Sequence, residues 1–179
     1  MNVSLNGFDA MNSLTAPDAP GTFATEAVNC VTWDAYAEEH NLSGRVAMIK
    51  IDVEGWECRV LRGGLETLSR ADAPVLQLEF YDQALQADGS SRQELYHLLE
   101  ELGYQLFVHD AYSKKTVREP LRDAYPCRVN LIAAKSEEQL QARLEARSDA
   151  PRLALGRQWR SPGPTLAGSP APVQPRLSV

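Results

Sequence analysis

Apolar residues recur with two different spacings along this chain. Residues 46–53 (VAMIKIDV) and 75–80 (VLQLEF) are short, mostly apolar and partly β-branched, the composition of strands buried inside a sheet. Ser91 and Glu94 form a capping-box pair, and Leu95, Leu98, Leu99 and Leu102 follow at i, i+3, i+4 and i+7, which predicts a helix stopped by Gly103. Thr32 caps a shorter predicted helix over residues 33–40. A third helix starts at about Trp56, with Val60, Leu61, Leu65 and Leu68 as its apolar stripe and Gly63 and Gly64 bending or dividing it. Residues 27–31, 105–109 and 129–134 read as further strands. Residues 88–90 read as a turn, and residues 113–126 as a polar loop with room for a short strand piece.

The order strand, helix, strand, helix, strand, helix, strand, strand predicts an α/β layered fold with a mainly parallel sheet. No helix separates the last two strands, so they are expected to form an antiparallel pair. Four segments follow. Residues 1–26, with Pro17, Pro20 and Gly21, read as irregular, and residues 27–135 as the folded domain. Residues 136–148 read as a charged helix. Residues 149–179 hold six of the eleven prolines and read as a disordered tail, the alternative being a Pro-rich ligand for an SH3-type domain.

Charge and cysteine content narrow the setting. The formal net charge is −6, but the tail carries four arginines against one acid, leaving −9 on the rest. An acidic body without a basic stripe argues against nucleic acid as partner. The three cysteines are widely spaced and form no CxxC, which argues against a disulfide framework or zinc site and for a reduced, cytoplasmic setting. The N-terminus lacks the basic and apolar regions of a signal peptide, and no run approaches a membrane span.

Side chains alternate across a strand, so Lys50, Asp52 and Glu54 share one parity while Ile49, Ile51 and Val53 share the other. Charges on one face of a buried strand are costly unless paired or opened into a cleft. In open α/β sheets, ligands bind beyond the carboxyl ends of the strands. Asp52 and Glu54 lie at that end of one strand, and Glu79 at the same end of the next. If the strands are neighbours, Lys50, Asp52, Glu54 and Glu79 converge. Such a group can orient a hydroxyl or an amine, or supply a general base. It can equally be a structural ion-pair network that fixes strand pairing.

Residues 49–64 (IKIDVEGWECRVLRGG) resemble the FkbM methyltransferase pattern, a strand ending in K-I-D-x-E-G followed by E-x-x-V-L-x-G. Lys50, Ile51, Asp52, Glu54, Gly55, Glu57, Val60, Leu61, Arg62 and Gly63 carry it. Pro74 and the strand ending in Glu79 are similar to the family's next element. Residues 31–34 (VTWD) are similar to a T-L-D opening a helix there, with Trp33 in the leucine position. The resemblance implies a Rossmann-like methyltransferase fold that uses S-adenosylmethionine, with O-methylation of a small molecule or a sugar. It implies that Asp52 and Glu54 face the methyl donor, with Glu79 beside them and Lys50 as their partner.

The family's cofactor-cradling half is not legible. Its Gly-rich turn and the acid that closes the following strand have no counterpart, since Gly7, Gly21 and Gly44 are the glycines before Asp52 and form no GxG. A strand-turn-helix unit takes about 30 residues, and two such units, roughly 60 residues, are absent from the sequence before residue 27. The fold is therefore expected to be incomplete, with residues 46–53 an uncovered edge open to strand exchange. The chain would then be a truncated or frame-disrupted product, with Met1 inside a longer ancestral reading frame. Alternatively, a homo-oligomer or a partner chain would fill the gap. A non-catalytic remnant or assembly partner that pairs through this edge is the competing function.

Other residues carry less. His40, His97 and His109 are scattered; His109 precedes Asp110, but no positioned nucleophile accompanies them. Cys58 reads as a packing residue, and Arg59 and Arg62 as a solvated helix face. Trp56, Tyr81 and Asp82 are placed to wall the mouth of the carboxylate cluster. A hydrolase or metal enzyme is disfavoured by the lack of a nucleophile elbow or clustered His/Asp ligands.

Overall fold

A computed structural model of the chain describes residues 1–4, 22–110 and 112–146. The elements in chain order are β1 (Asn2–Ser4), β2 (Phe23–Thr25), α1 (Trp33–Glu39), β3 (Met48–Ile51), α2 (Glu57–Arg62), α3 (Leu65–Ser69), β4 (Val75–Phe80), α4 (Asp82–Ala87), α5 (Arg92–Glu101), β5 (Gln105–Asp110), β6 (Lys115–Arg118), β7 (Val129–Ala134) and α6 (Glu137–Ala146). The tail expected to be disordered, residues 149–179, lies outside the described residues.

Five strands form one sheet in the order β3-β4-β7-β5-β6, and β1 pairs with β2 in a separate antiparallel ribbon. The expectation of a mainly parallel sheet is corrected. Only β3 and β4 pair in parallel, while β4–β7, β5–β7 and β5–β6 are antiparallel. The cause is the return of β7. It enters between β4 and β5 and runs against both, so β4 and β5 point the same way without touching. The antiparallel final pair expected from the sequence is present as β5–β7, and β6 adds a hairpin to β5.

Two further expectations change. Residues 27–31 form no strand; Val28 and Val31 are exposed, at 43% and 71%, with no sheet neighbour to cover them. The short ribbon of β1 and β2 instead lies within residues 1–26, which the sequence reads as irregular. Helix α4 is unheralded, because its six residues bury only Leu85 and Tyr81 before it offers no side-chain cap.

The period-two pattern divides the core between the two sheet faces. Leu76, Leu78 and Phe80 of β4 join Ile51, Cys58, Leu61, Leu95 and Leu99 in the main cluster, which packs α2 and α5 on one face. Val75 turns to the other face and meets Phe107, Ala134 and Leu140, the anchor of α6. Each fully buried side chain of this kind contributes about 1.5–3 kcal/mol. On the second face, Gln77 and Glu79 follow Val75, and Lys50 and Asp52 follow Met48, so the charged side of β3 and β4 lies opposite the main core.

The junction between α1, α2 and α3 is fixed by Asp34. Its carboxylate accepts from the N–H groups of Glu66 and Thr67, both at 2.9 Å, capping the start of α3. Its own N–H donates to the Gly63 carbonyl at 3.0 Å. A Cβ on Gly64 would meet Leu68 at 3.1 Å and Trp33 at 3.3 Å, so the bare glycine admits the Trp33 ring. The break that Gly63 and Gly64 predict is real: α2 ends at Arg62 and α3 begins at Leu65.

Candidate active site

The β3–β4 register brings the carboxylates together. Lys50 stands opposite Gln77 and Ile51 opposite Leu78. Continuing that register sets Asp52 beside Glu79 at the carboxyl ends of two parallel strands, where α/β sheets bind ligands. Carboxylate oxygens of Asp52, Glu54 and Glu79 lie within 4.8 Å of one another.

The turn after β3 presents Glu54. Glu54 has φ +52° and Gly55 φ +102°, so two successive residues occupy left-handed backbone. A glycine does so freely, whereas a glutamate is strained there. A Cβ on Gly55 would stand 2.2 Å from the Ala84 carbonyl oxygen, so the turn presses directly on α4. Buried Glu57 ties the turn down from inside. Its Oε1 accepts from the N–H groups of Val53 and Gly55, each at 3.4 Å, and its Oε2 is buried without a partner. Burial pushes the Glu57 carboxyl up from its ordinary range, against the two backbone donors.

Arg128 completes the cluster. Its Nη1 donates to both Glu54 carboxylate oxygens, at 2.9 and 2.7 Å, and to Glu79 Oε2 at 2.8 Å. Its guanidinium also stacks over Tyr81, 5.0 Å from the ring centre. Lys50 donates to Asp52 at 2.7 Å on the exposed side. Glu79 is the least exposed of the three acids, at 7%. Burial raises its carboxyl, Arg128 opposes that, and the adjacent Glu54 and Asp52 carboxylates add to the rise. Burial alone would lower the Arg128 guanidinium, but its hydrogen bonds and ion pairs with Glu54 and Glu79 raise it overall.

The four residues singled out in the sequence therefore meet in two groups: Lys50 pairs with Asp52, and Glu54 and Glu79 share Arg128. Lys50 does not sit between the carboxylates. Arg128 takes that position, and the sequence reading had not assigned it. Its signal was topological: an antiparallel strand beginning at Val129 puts the preceding residue next to the carboxyl end of β4. Tyr81 lies at the mouth as anticipated. Asp82 instead turns inward, accepting from Arg92 at 3.2 Å and from the Tyr125 N–H at 3.0 Å. Trp56 packs under Arg59, 4.8 Å from the guanidinium carbon. Asp110 accepts from the Tyr112 N–H and the Ser113 hydroxyl, both at 2.8 Å, and so shapes the β5–β6 turn rather than a His–Asp pair.

Chemically, the cluster presents carboxylate oxygens to hydroxyl or ammonium groups, with one acid whose proton affinity is raised. Three convergent carboxylates also resemble a divalent-cation shell, but Arg128 and Lys50 already supply positive charge to all of them.

Residues 8–106, more than half of the chain, match the family model described as the methyltransferase FkbM domain. No curated protein and no solved structure matches the chain. The chain belongs to the FkbM methyltransferase family. The turn after β3 does not by itself form a cradle for S-adenosylmethionine, the donor this family implies. A cradle needs bare backbone N–H groups facing a ligand at a strand-to-helix turn. At the turn after β3 the space beside Gly55 is taken by the Ala84 carbonyl. The donor set around Glu54 is acidic and suits hydroxyls better than a carboxylate.

Proposed function

We propose that this FkbM-family chain acts in S-adenosylmethionine-dependent O-methylation of a small molecule or a sugar, and that its carboxylate cluster receives the acceptor. Two observations support different halves of this reading. Family membership supports methyl transfer and its donor. The convergence of Asp52, Glu54 and Glu79 at the ends of two parallel strands supports an acceptor rich in hydroxyl groups.

Within this proposal Glu54 and Asp52 accept hydrogen bonds from acceptor hydroxyls, and Glu79 takes the proton of the reacting one. A base must be deprotonated to act, and the ion pair with Arg128 favours the ionised form of Glu79 against its burial. Arg128 and Lys50 are positioning residues. They hold the carboxylates in place, leaving the second oxygen of Asp52 and of Glu79 for the ligand.

The test has two parts. Titration calorimetry with S-adenosylmethionine and S-adenosylhomocysteine asks whether the chain binds the donor. Transfer of a labelled methyl group to a panel of sugars and polyols, with wild type and Glu79→Gln, asks whether the cluster serves the acceptor. Donor binding with methyl transfer lost in Glu79→Gln is expected. Equal transfer by both proteins would remove Glu79 from the reaction, and no donor binding by folded chain would sink the catalytic reading.

A further inference from the structure

Among the described residues β3 pairs with β4 alone, so its other edge carries open backbone groups. The ladder fixes which residues face that edge. The Val75 N–H donates to the Ala47 carbonyl at 3.1 Å, so the Ala47 backbone points toward β4. Backbone groups alternate along a strand. Ile49 and Ile51 therefore also point toward β4, Met48 and Lys50 turn their N–H and C=O groups outward, and Asp52 is the next residue of that alternation, one past the end of β3. The side chains of the same residues are exposed: Met48 at 49%, and those of Lys50 and Asp52 at 57% and 41%.

We infer that this edge receives β3 of a second copy of the chain, antiparallel, about a two-fold axis through Ile51. Opposed residues in an antiparallel pair share a sheet face, so such an axis passes through a residue and not between two. An axis through Lys50 sets two lysines against each other, and one through Asp52 sets two aspartates together. An axis through Ile49 leaves Lys50 facing Met48. An axis through Ile51 sets Lys50 opposite Asp52 of the second copy, and Asp52 opposite its Lys50. Lys50 points its backbone outward and Asp52 follows it in the alternation, so with β3 extended by one residue these become the hydrogen-bonded pairs of the new ladder.

Charge complementarity here sets register more than affinity. Lys50 already pairs with Asp52 of its own strand at 2.7 Å, so dimerisation exchanges two intrachain pairs for two between chains. The outward N–H and C=O groups supply the attraction; like charges directly opposite disfavour the registers centred on Lys50 and Asp52, and the register centred on Ile49 forms no opposite-charge pair. The Glu54 left-handed turn ends the paired segment. This inference does not depend on methyl transfer.

Sedimentation velocity of the full chain over a concentration series tests it, with reductant present because Cys30 and Cys127 are exposed free thiols. A reversible dimer is expected. Lys50→Asp and Asp52→Lys should each weaken it by about tenfold, as opposite-charge pairs become like-charge pairs. The combined Lys50→Asp/Asp52→Lys chain should regain the wild-type dimer, because the pairing is merely reversed. Lys50→Pro, which removes an outward N–H and no β4 hydrogen bond, should abolish it. Circular dichroism checks each fold, and Lys50→Met replaces the reversal if that variant unfolds. A monomer at every concentration, including one that joins only a different protein, overturns the inference. So does a dimer that these substitutions leave unchanged.

Discussion

Arg128 meets Glu79 at 2.8 Å across 49 residues of sequence, and the same nitrogen also holds Glu54. Removing the arginine leaves two neighbouring carboxylates facing each other, one of them almost buried. Half of the Arg128 side chain is exposed, so solvent screens the pair and the loss is modest. Arg128→Ala should lower stability at neutral pH by about 1 kcal/mol. Adding Glu79→Gln should recover most of that, since the stranded charge is then gone. Urea denaturation of the single and double variants measures both. Additive losses would show that the two groups do not interact.

Glu57 makes a pH prediction of definite sign. Its carboxyl is raised in the fold by burial, so the folded state binds its proton more tightly than the unfolded chain does. Stability from this group is full below the ordinary glutamate value and falls as pH rises through the folded value. Glu79, also raised, adds to the same trend. Glu57→Gln keeps an oxygen for the Val53 and Gly55 N–H groups and removes the buried charge. It should be about as stable as wild type at pH 4 and more stable at pH 7, by about 1 kcal/mol. Glu57→Ala should lose about 1–3 kcal/mol at both, because the two donors are left unpaired. Denaturation midpoints at the two pH values decide; a glutamine variant weaker at pH 7 would contradict the assignment.

The strands and the capped helix were legible because their signals are local. Residues 75–80 and 129–134 have the predicted bounds, and Ser91 caps α5 by accepting from the Glu94 N–H at 3.2 Å. The neighbourhood of Asp52, Glu54 and Glu79 followed from parity and strand order. What failed was long-range. Nothing in residues 129–134 says that the strand inserts between β4 and β5, and that insertion both reverses most of the pairing and delivers Arg128. The misread strand at 27–31 failed for the complementary reason: a β-like composition forms no strand without a neighbour to bond. The left-handed Glu54 was equally hidden, because a glutamate carries no turn signature of its own.

Gly55 should be among the least replaceable positions of the turn. A Cβ there meets backbone, the Ala84 carbonyl oxygen at 2.2 Å, and the φ of +102° disfavours any other residue. Gly55→Ala should therefore cost about 3 kcal/mol or more, from strain and displacement of α4 together. Gly64→Ala is the contrast. Its φ is −125°, and its nearest neighbours at 3.1–3.3 Å are side-chain atoms of Leu68 and Trp33 rather than backbone. A loss of about 1–2 kcal/mol is expected there. Thermal melts of the two variants should separate clearly, and equal losses would mean that the close approach of Ala84 is not what fixes the turn.

Glu54 lets strain be separated from structure. Its φ of +52° costs a non-glycine residue about 1 kcal/mol, and a glycine would adopt it without penalty. Glycine also gains freedom in the unfolded chain, and Glu54→Gly loses the ion pair with Arg128. These effects oppose one another, so the variant should keep its stability to within about 1 kcal/mol. A residue held in strained backbone without stabilising the fold is expected to serve a ligand. Glu54→Gly should then lose acceptor-dependent methyl transfer while its denaturation curve barely moves. Glu54→Ala, which keeps the strain and loses the ion pair, should be the less stable of the two. If Glu54→Gly instead unfolds the chain while methyl transfer by the surviving folded fraction is unchanged, Glu54 is a structural residue and the acceptor site is reduced to Asp52 and Glu79.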